Sequence, residues 1–291
     1  MILSIGEILA DMTFNNETES FSAFAGGAPF NVAVNAKKAG AVSGFIGKVG
    51  NDTIGRFLMA KTKKANLDYL NIQVDGVKNT TLAFVSLTNG ERDFSFYRNK
   101  TADYYFDLKD IELSSLHNLN IVNIGSLMLS DKDGVKKAKG LFKMVKKSGA
   151  KIAFDINLRM DLYADFSVAK KVYSPFIKKA DIIKFSDDEF SLFTDNKSIE
   201  DGLTFLGLLD KTVIITFGAK GSVIAHNGMV KTIPTVPVTP VDTTGAGDAF
   251  FGTFLAHMDG KDFTEETLTF AMEQASIKGA EATKFYGAIK L

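Results

Sequence analysis

The chain contains no cysteine and no tryptophan. Without thiols it forms no disulfide and no thiolate metal site, and a cytoplasmic location is the expectation. Lysine plus arginine and aspartate plus glutamate stand at 34 each, so the formal net charge is zero. No broad field draws in nucleic acid or anionic lipid, and neither is expected as a partner. No apolar run approaches the roughly 20 residues that cross a bilayer. The opening MILSIGEILAD turns acidic too soon for a secretory leader. The three histidines, His117, His226 and His257, are far apart and show no HExxH spacing. The GxxxxGK(S/T) phosphate loop and the GxSxG hydrolase elbow are also missing. Gly245-Ala246-Gly247 is no dinucleotide fingerprint, because it lacks the third glycine and lies near the C-terminus.

What is present is ordinary globular composition: 291 residues, 45% hydrophobic and 23% charged, with 25 phenylalanines to fill a core. Ile2 to Gly6 is an apolar run ending in glycine and predicts a first buried strand, with Glu7 and Asp11 just past its carboxyl end. Further apolar runs at Ile121–Gly125, Lys151–Asp155, Asp181–Phe185 and Thr212–Thr216 alternate with helical stretches such as Lys132–Lys147 and Ala169–Lys179. That alternation predicts βαβ units, hence an α/β fold with a mainly parallel central sheet and helices on both faces. The β-rich runs Thr81–Leu87 and Arg92–Arg98 flank Asn89-Gly90, a hairpin signal. Lying outside the parallel pattern, they predict a separate small sheet. Asp52 predicts the cap of a helix running to about Ala65.

The stretch with the most chemistry is Asp242-Thr243-Thr244-Gly245-Ala246-Gly247-Asp248. Apolar residues dominate from Ala249 to Met258 and predict a buried helix beginning near Ala246. Pro234, Pro237 and Pro240 make the approach extended or turning. A Gly-Ala-Gly turn entering a helix leaves several N–H groups unpaired and pointing one way. With the aligned peptide dipoles they attract an anion. Asp248 then reads as a base beside a phosphate site, or as an acid satisfying the dipole of a capped helix. The residues alone leave both readings open.

DTTGAGD resembles the signature of the ribokinase-like, or PfkB, sugar kinases. The resemblance implies that Asp248 is the catalytic base and that the amides of Gly245, Ala246 and Gly247 form an anion hole. It implies a ribokinase-like single domain spanning 1–291, with a small β-sheet lid from about 12–25 and 75–105. Gly26-Gly27-Ala28-Pro29-Phe30-Asn31 resembles the family's first signature, in which Gly27 and Asn31 contact the sugar; its Ala-Pro pair resembles the fructokinase branch. Asp11 matches the acid that bonds sugar hydroxyls, although alone it reads as a turn residue. Phe96-Tyr97-Arg98 is similar to a stretch of fructokinases and 2-keto-3-deoxygluconate kinases, and implies that Arg98 reaches the sugar from the lid.

Asp155-Ile156-Asn157-Leu158-Arg159 resembles the family's DPNLR with Ile156 in place of Pro. Arg159 there stabilises phosphate charge, although its residue type equally suits a structural ion pair. Lys184, Ser186 and Glu189 resemble a KxNxxE element that organises Mg²⁺ through water, with Ser186 replacing Asn. Thr216, Gly218 and Gly221 resemble the nucleotide-binding TxGxxG, and Ser276 and Gly279 match the adenine-pocket helix. Asp242 and Thr244, with Thr283 and Gly287-Ala288, resemble the segments of a monovalent-cation (K⁺) site.

The implied activity is transfer of the ATP γ-phosphoryl group, with Mg²⁺, to a sugar primary hydroxyl, giving fructose 6-phosphate from fructose. The sugar acids 2-keto-3-deoxygluconate and 5-dehydro-2-deoxygluconate are alternatives, because Arg98 and Arg159 are each able to pair with a carboxylate. A nucleoside kinase, with Phe21, Phe24 and Phe96 against a base, and a catalytically silent sugar-binding protein are further alternatives. Asp248 and the unbroken Gly245–Gly247 turn argue against the silent one. A homodimer formed through the lid is the expected assembly.

Overall fold

The computed structural model describes residues 1–15, 18–88 and 91–289. The expected turn at Asn89-Gly90 lies outside the described residues. The first part of the chain forms β1 (Ile2–Ile5), β2 (Leu9–Asn15), β3 (Ser20–Gly26), α1 (Ala28–Lys38), β4 (Ser43–Gly50), α2 (Thr53–Lys64), β5 (Tyr69–Asp75), β6 (Leu82–Thr88) and β7 (Glu91–Tyr97). Then come β8 (Ile121–Ile124), α3 (Lys132–Ser148), β9 (Lys151–Asp155), α4 (Phe166–Ile177), β10 (Ile182–Ser186), α5 (Asp187–Thr194) and α6 (Ile199–Leu206). The chain continues through β11 (Thr212–Thr216), β12 (Ser222–His226), β13 (Met229–Ile233), α7 (Ala246–Met258) and α8 (Glu265–Ala282).

Nine strands form one sheet in the order β13-β12-β11-β10-β9-β8-β1-β4-β5. From β11 to β5 every pairing is parallel, and β12 and β13 add an antiparallel edge. Successive strand residues point to opposite faces, and the core divides accordingly. Leu3, Val122, Phe154, Ile183 and Ile215 pack with α3, α4, α5 and α6 on one face. Ile2, Ile121, Ala153, Ile182 and Ile214 pack with α1, α7 and α8 on the other. Burial on both faces is why these strands read as short continuous apolar runs. From β1 the chain builds outward to β4 and β5 on one side, and later to β8 and beyond on the other. The boundary between β1 and β8 is therefore a switch point, and ligands of open α/β sheets bind past the strand ends there.

A second sheet, β3-β2-β6-β7, stands apart from the first. It begins earlier than expected, at Leu9, and the expected 75–105 contribution narrows to β6 and β7. Residues up to Asp75 belong to the main sheet instead, because β5 completes a seven-residue parallel ladder with β4. Asp52 caps α2 by accepting the Gly55 amide at 2.7 Å, and its other oxygen accepts the Thr80 amide at 2.7 Å.

Candidate active site

Strand parity places the charged groups. Asp155 ends β9 and Lys184 lies opposite it in β10. Both share the strand parity of Ala153 and Ile182, the face that packs against α7. Lys184 Nζ donates to Asp155 Oδ2 at 2.7 Å with both groups buried, while Asp155 Oδ1 is buried without a hydrogen-bond partner among the described residues. Burial pulls the lysine down, yet Asp155 and Glu189 outweigh it and hold the ammonium above its ordinary range.

Above these strand ends begins α7. Its N-cap is Gly245 at φ 75°, a left-handed conformation, and no side chain caps the helix. The Ala246 amide donates to the Thr243 carbonyl at 3.2 Å. Among the described residues, the Gly245, Gly247 and Asp248 amides have no protein acceptor. The bare donors expected at Gly245 and Gly247 are present, with Asp248 adding a third and Ala246 the less available. A Cβ on Gly245 would lie 2.6 Å from the Ala288 carbonyl oxygen, and its φ strains any other residue. Gly245→Val is therefore expected to shift the turn and lower kcat about 10²-fold, the cost of a misaligned reacting group. Steady-state kinetics check it: a loss under threefold would remove the turn from catalysis.

Asp248 lies in the first turn of α7 and accepts from Asn31 Nδ2 at 2.8 Å. Burial pushes its carboxyl up to about 6, with Asp155 adding to the rise and Asn31, Lys184 and Arg159 opposing it. A value near working pH suits a general base.

Two cavities meet at this helix start. One, of about 540 Å³, is mostly apolar and is lined by Val236, Pro237, Val238, Phe250 and Ala280 as well as residues of the turn. The expected nucleotide residues Thr216, Gly218, Gly221, Ser276 and Gly279 line it. The other, of about 410 Å³, is lined by Asp11, Gly27, Asn31, Asp155, Arg159, Glu189 and Asp248. Thr216, Thr243 and Gly247 belong to both walls. Lys184 and Ser186, matched with Glu189 to the Mg²⁺-organising element, line the second cavity with it. Asp11 is placed in β2 of the small sheet, beyond the strand end where the sequence put it, yet it faces this second cavity. Asn157, at φ 38°, turns the chain that carries Arg159 to the cleft.

Glu189 forms a capping box with Ser186 at the start of α5, and its oxygens accept the Leu158 and Ser186 amides at 2.7 and 2.8 Å. Burial, then Asp155, raises its carboxyl above the ordinary range against Lys184. Among the described residues no three His, Asp or Glu side chains cluster as a metal site. Asp242 accepts the Thr244 and Gly287 amides at 2.8 Å each, tying the C-terminal segment to the turn, and Thr244 Oγ1 is buried without a hydrogen-bond partner among the described residues.

Arg98 departs from its expectation. It is 6% exposed and absent from both cavity walls. Its Nε donates to Asp103 Oδ2 at 3.0 Å and Nη2 donates to the same oxygen, while Nη1 donates to the Leu127 carbonyl at 2.6 Å and to Ser130 Oγ at 2.9 Å. The Tyr104 ring covers its guanidinium at 3.8 Å. A buried cation has to satisfy its charge within the protein, so Arg98 braces the foot of the small sheet with its donors engaged inside the fold. Sequence reading missed the Pro-rich wall at 235–240, whose only signal was its extended character, and Thr243, whose signal was its place within DTTGAGD.

A profile of the pfkB family carbohydrate kinases matches residues 1–281. Fructokinase-2 of Oryza sativa subsp. japonica is 33% identical over 303 residues, covering 99% of this chain and 90% of its own. A double mutant of the fructokinase of Vibrio cholerae O395, solved with fructose, ADP and a potassium ion, superposes with a TM-score of 0.90 at 29% identity, covering 99% and 93% of the two chains. A sugar kinase of Pyrococcus horikoshii in complex with ATP gives 0.85 at 33% identity, covering 99% and 94%. With its ribokinase-like sheet order, a bare-amide turn and matches across nearly its whole length, the chain belongs to the pfkB family of carbohydrate kinases.

Proposed function

We propose that the protein transfers the γ-phosphoryl group of ATP to the primary hydroxyl of a sugar, with fructose as acceptor and fructose 6-phosphate as product. The observation that carries this reading is the meeting of an apolar cavity and a polar one at the uncapped start of α7, with Asp248 on the polar side. Fructose and ADP bound to the Vibrio cholerae relative support the choice of substrates.

Phosphoryl transfer mainly requires alignment and neutralisation of charge. The adenine and ribose occupy the apolar cavity, and their phosphates point toward the amides of Gly245, Gly247 and Asp248. The sugar is held by Asp11, Gly27 and Asn31. Asp248 accepts the hydroxyl proton as the oxygen bonds to phosphorus, and Asn31 fixes the orientation of that carboxylate. The bare amides receive charge on the moving group. Lys184 adjoins the same spot, since a Cβ on Gly247 would lie 3.3 Å from Nζ; Arg159 assists from the far wall. The unpartnered Asp155 Oδ1 and Glu189 fit a Mg²⁺ held through water, which would neutralise phosphate charge. Thr244 and Asp242 are the fitting residues for a K⁺ ion beside the turn.

The small sheet acts as a lid of the single domain, closing on the acceptor and excluding water. Only its Asp11 and Phe96 face is turned to the cavity. On the other face Phe14, Phe21, Phe84 and Tyr97 form a row of rings 5.0–5.2 Å apart, with Tyr97 65% exposed. This row pairs with its copy in a dimer. Analytical ultracentrifugation is expected to show a dimer that Phe21→Ser weakens; a monomer at micromolar concentration would contradict it.

A coupled ADP-release assay over fructose, other hexoses, sugar acids and nucleosides tests the activity. Fructose is expected to give the highest kcat/KM. A nucleoside ahead of every sugar would sink the reading, and Phe21, on the outer face, already leaves a base with less to stack on.

A further inference from the structure

At the inner end of the polar cavity, Glu7 follows β1 and is 1% exposed. The steps above make no use of it. Its Oε2 is buried without a hydrogen-bond partner among the described residues. Glycine makes the room: a Cβ on Gly125, at the end of β8, would lie 2.5 Å from Oε2. An unsatisfied carboxyl oxygen is costly inside a protein, and Glu7 is one of the residues that line the polar cavity.

The charged groups acting on Glu7 come from several elements. Arg98 and Asp103 pair with each other, Asp103 also accepting from Thr81 and Thr101; Asp248 acts on it from α7, held by Asn31, and Asp11 of β2 lines the same cavity. Burial raises the Glu7 carboxyl to about 8, with Arg98 opposing the rise and Asp103 and Asp248 adding to it. In the un-ionised form one oxygen donates and the other accepts. Two cations line the same cavity, Lys184, which is paired with Asp155, and Arg159.

We propose that Glu7 is a specificity-determining residue that binds the acceptor, exchanging hydrogen bonds with hydroxyls of an uncharged sugar and disfavouring a sugar acid. The inference rests on the sugar-kinase reading and deepens it. An acid's carboxylate placed beside Glu7 would meet the Asp11 carboxylate, and Arg98 is engaged by Asp103.

The test is the pH dependence of KM for fructose at saturating Mg²⁺-ATP, in the wild type and in Glu7→Gln. Wild-type KM is expected to be flat near neutrality and to rise toward tenfold per unit above about pH 8, as the donor form is lost. Glu7→Gln keeps both a donor and an acceptor. Its KM is expected to stay within about threefold of wild type at pH 7 and to remain flat at higher pH. Glu7→Ala is expected to raise KM about tenfold with little change in kcat. A bracing role would alter melting temperature without moving the KM profile. A flat wild-type KM, an alkaline rise that persists in Glu7→Gln, or a sugar acid with higher kcat/KM than fructose would overturn the assignment while leaving the kinase reading intact. If the wild type phosphorylates no sugar, the kinase reading itself fails and Glu7 falls with it.

Discussion

Asp248→Asn is expected to retain its fold and to lose about 10²–10⁴ in kcat, the contribution of a positioned acid–base group. The amide is isosteric and its oxygen can still accept from Asn31, so the variant removes basicity and little else. KM for both substrates should change far less than kcat. Because burial sets the carboxyl at about 6, the protonated fraction grows as pH falls below that value, and wild-type kcat should drop about tenfold per unit there. The variant's residual rate should lack that limb. The linkage sign follows from the raised folded value: stability present below the unfolded value of 3.8 is lost as pH rises through about 6. At pH 7 the asparagine variant should therefore melt at or above wild type. Unchanged kcat with an unchanged pH limb would remove Asp248 from proton transfer.

Arg98→Ala is expected to act on the fold and not on the chemistry. It strands the Asp103 carboxylate in a pocket where that group is buried with Thr81 and Thr101 as its remaining partners. Removing one partner of a buried pair costs about 3–5 kcal/mol, which corresponds to a melting temperature lower by roughly 10 °C. Kinetics below the transition should show KM for the sugar within about threefold of wild type. A stable variant with a KM raised a hundredfold would restore the ligand role that the sequence suggested.

The contrast between these two residues shows what the sequence made legible. Asp248 was readable because its neighbours in the chain are also its neighbours in space: Gly245 and Gly247 set the turn, and the apolar residues behind them bury the helix. The parallel strands were readable because burial on both faces makes them continuous apolar runs. Arg98 was not, because Leu127 and Ser130 reach it only through the tertiary fold, and nothing in the chain marks Asp103, five residues on, as its buried partner. Glu7 was visible as an acid past a strand end, but its lack of a partner depends on the glycine of an adjacent strand more than a hundred positions away. Ser186 was matched by motif to the Mg²⁺-organising element. Its position at the end of β10, capping α5, puts it in the acceptor wall.

The central claim is direct transfer between two cavities that share the start of α7. Phosphorus NMR of the protein with ATP, Mg²⁺ and fructose tests it most directly. One new phosphomonoester signal is expected to grow in step with ADP and to be absent on the same timescale with Asp248→Asn. Inorganic phosphate as the only new signal, or a phosphomonoester formed equally fast by the variant, would contradict it.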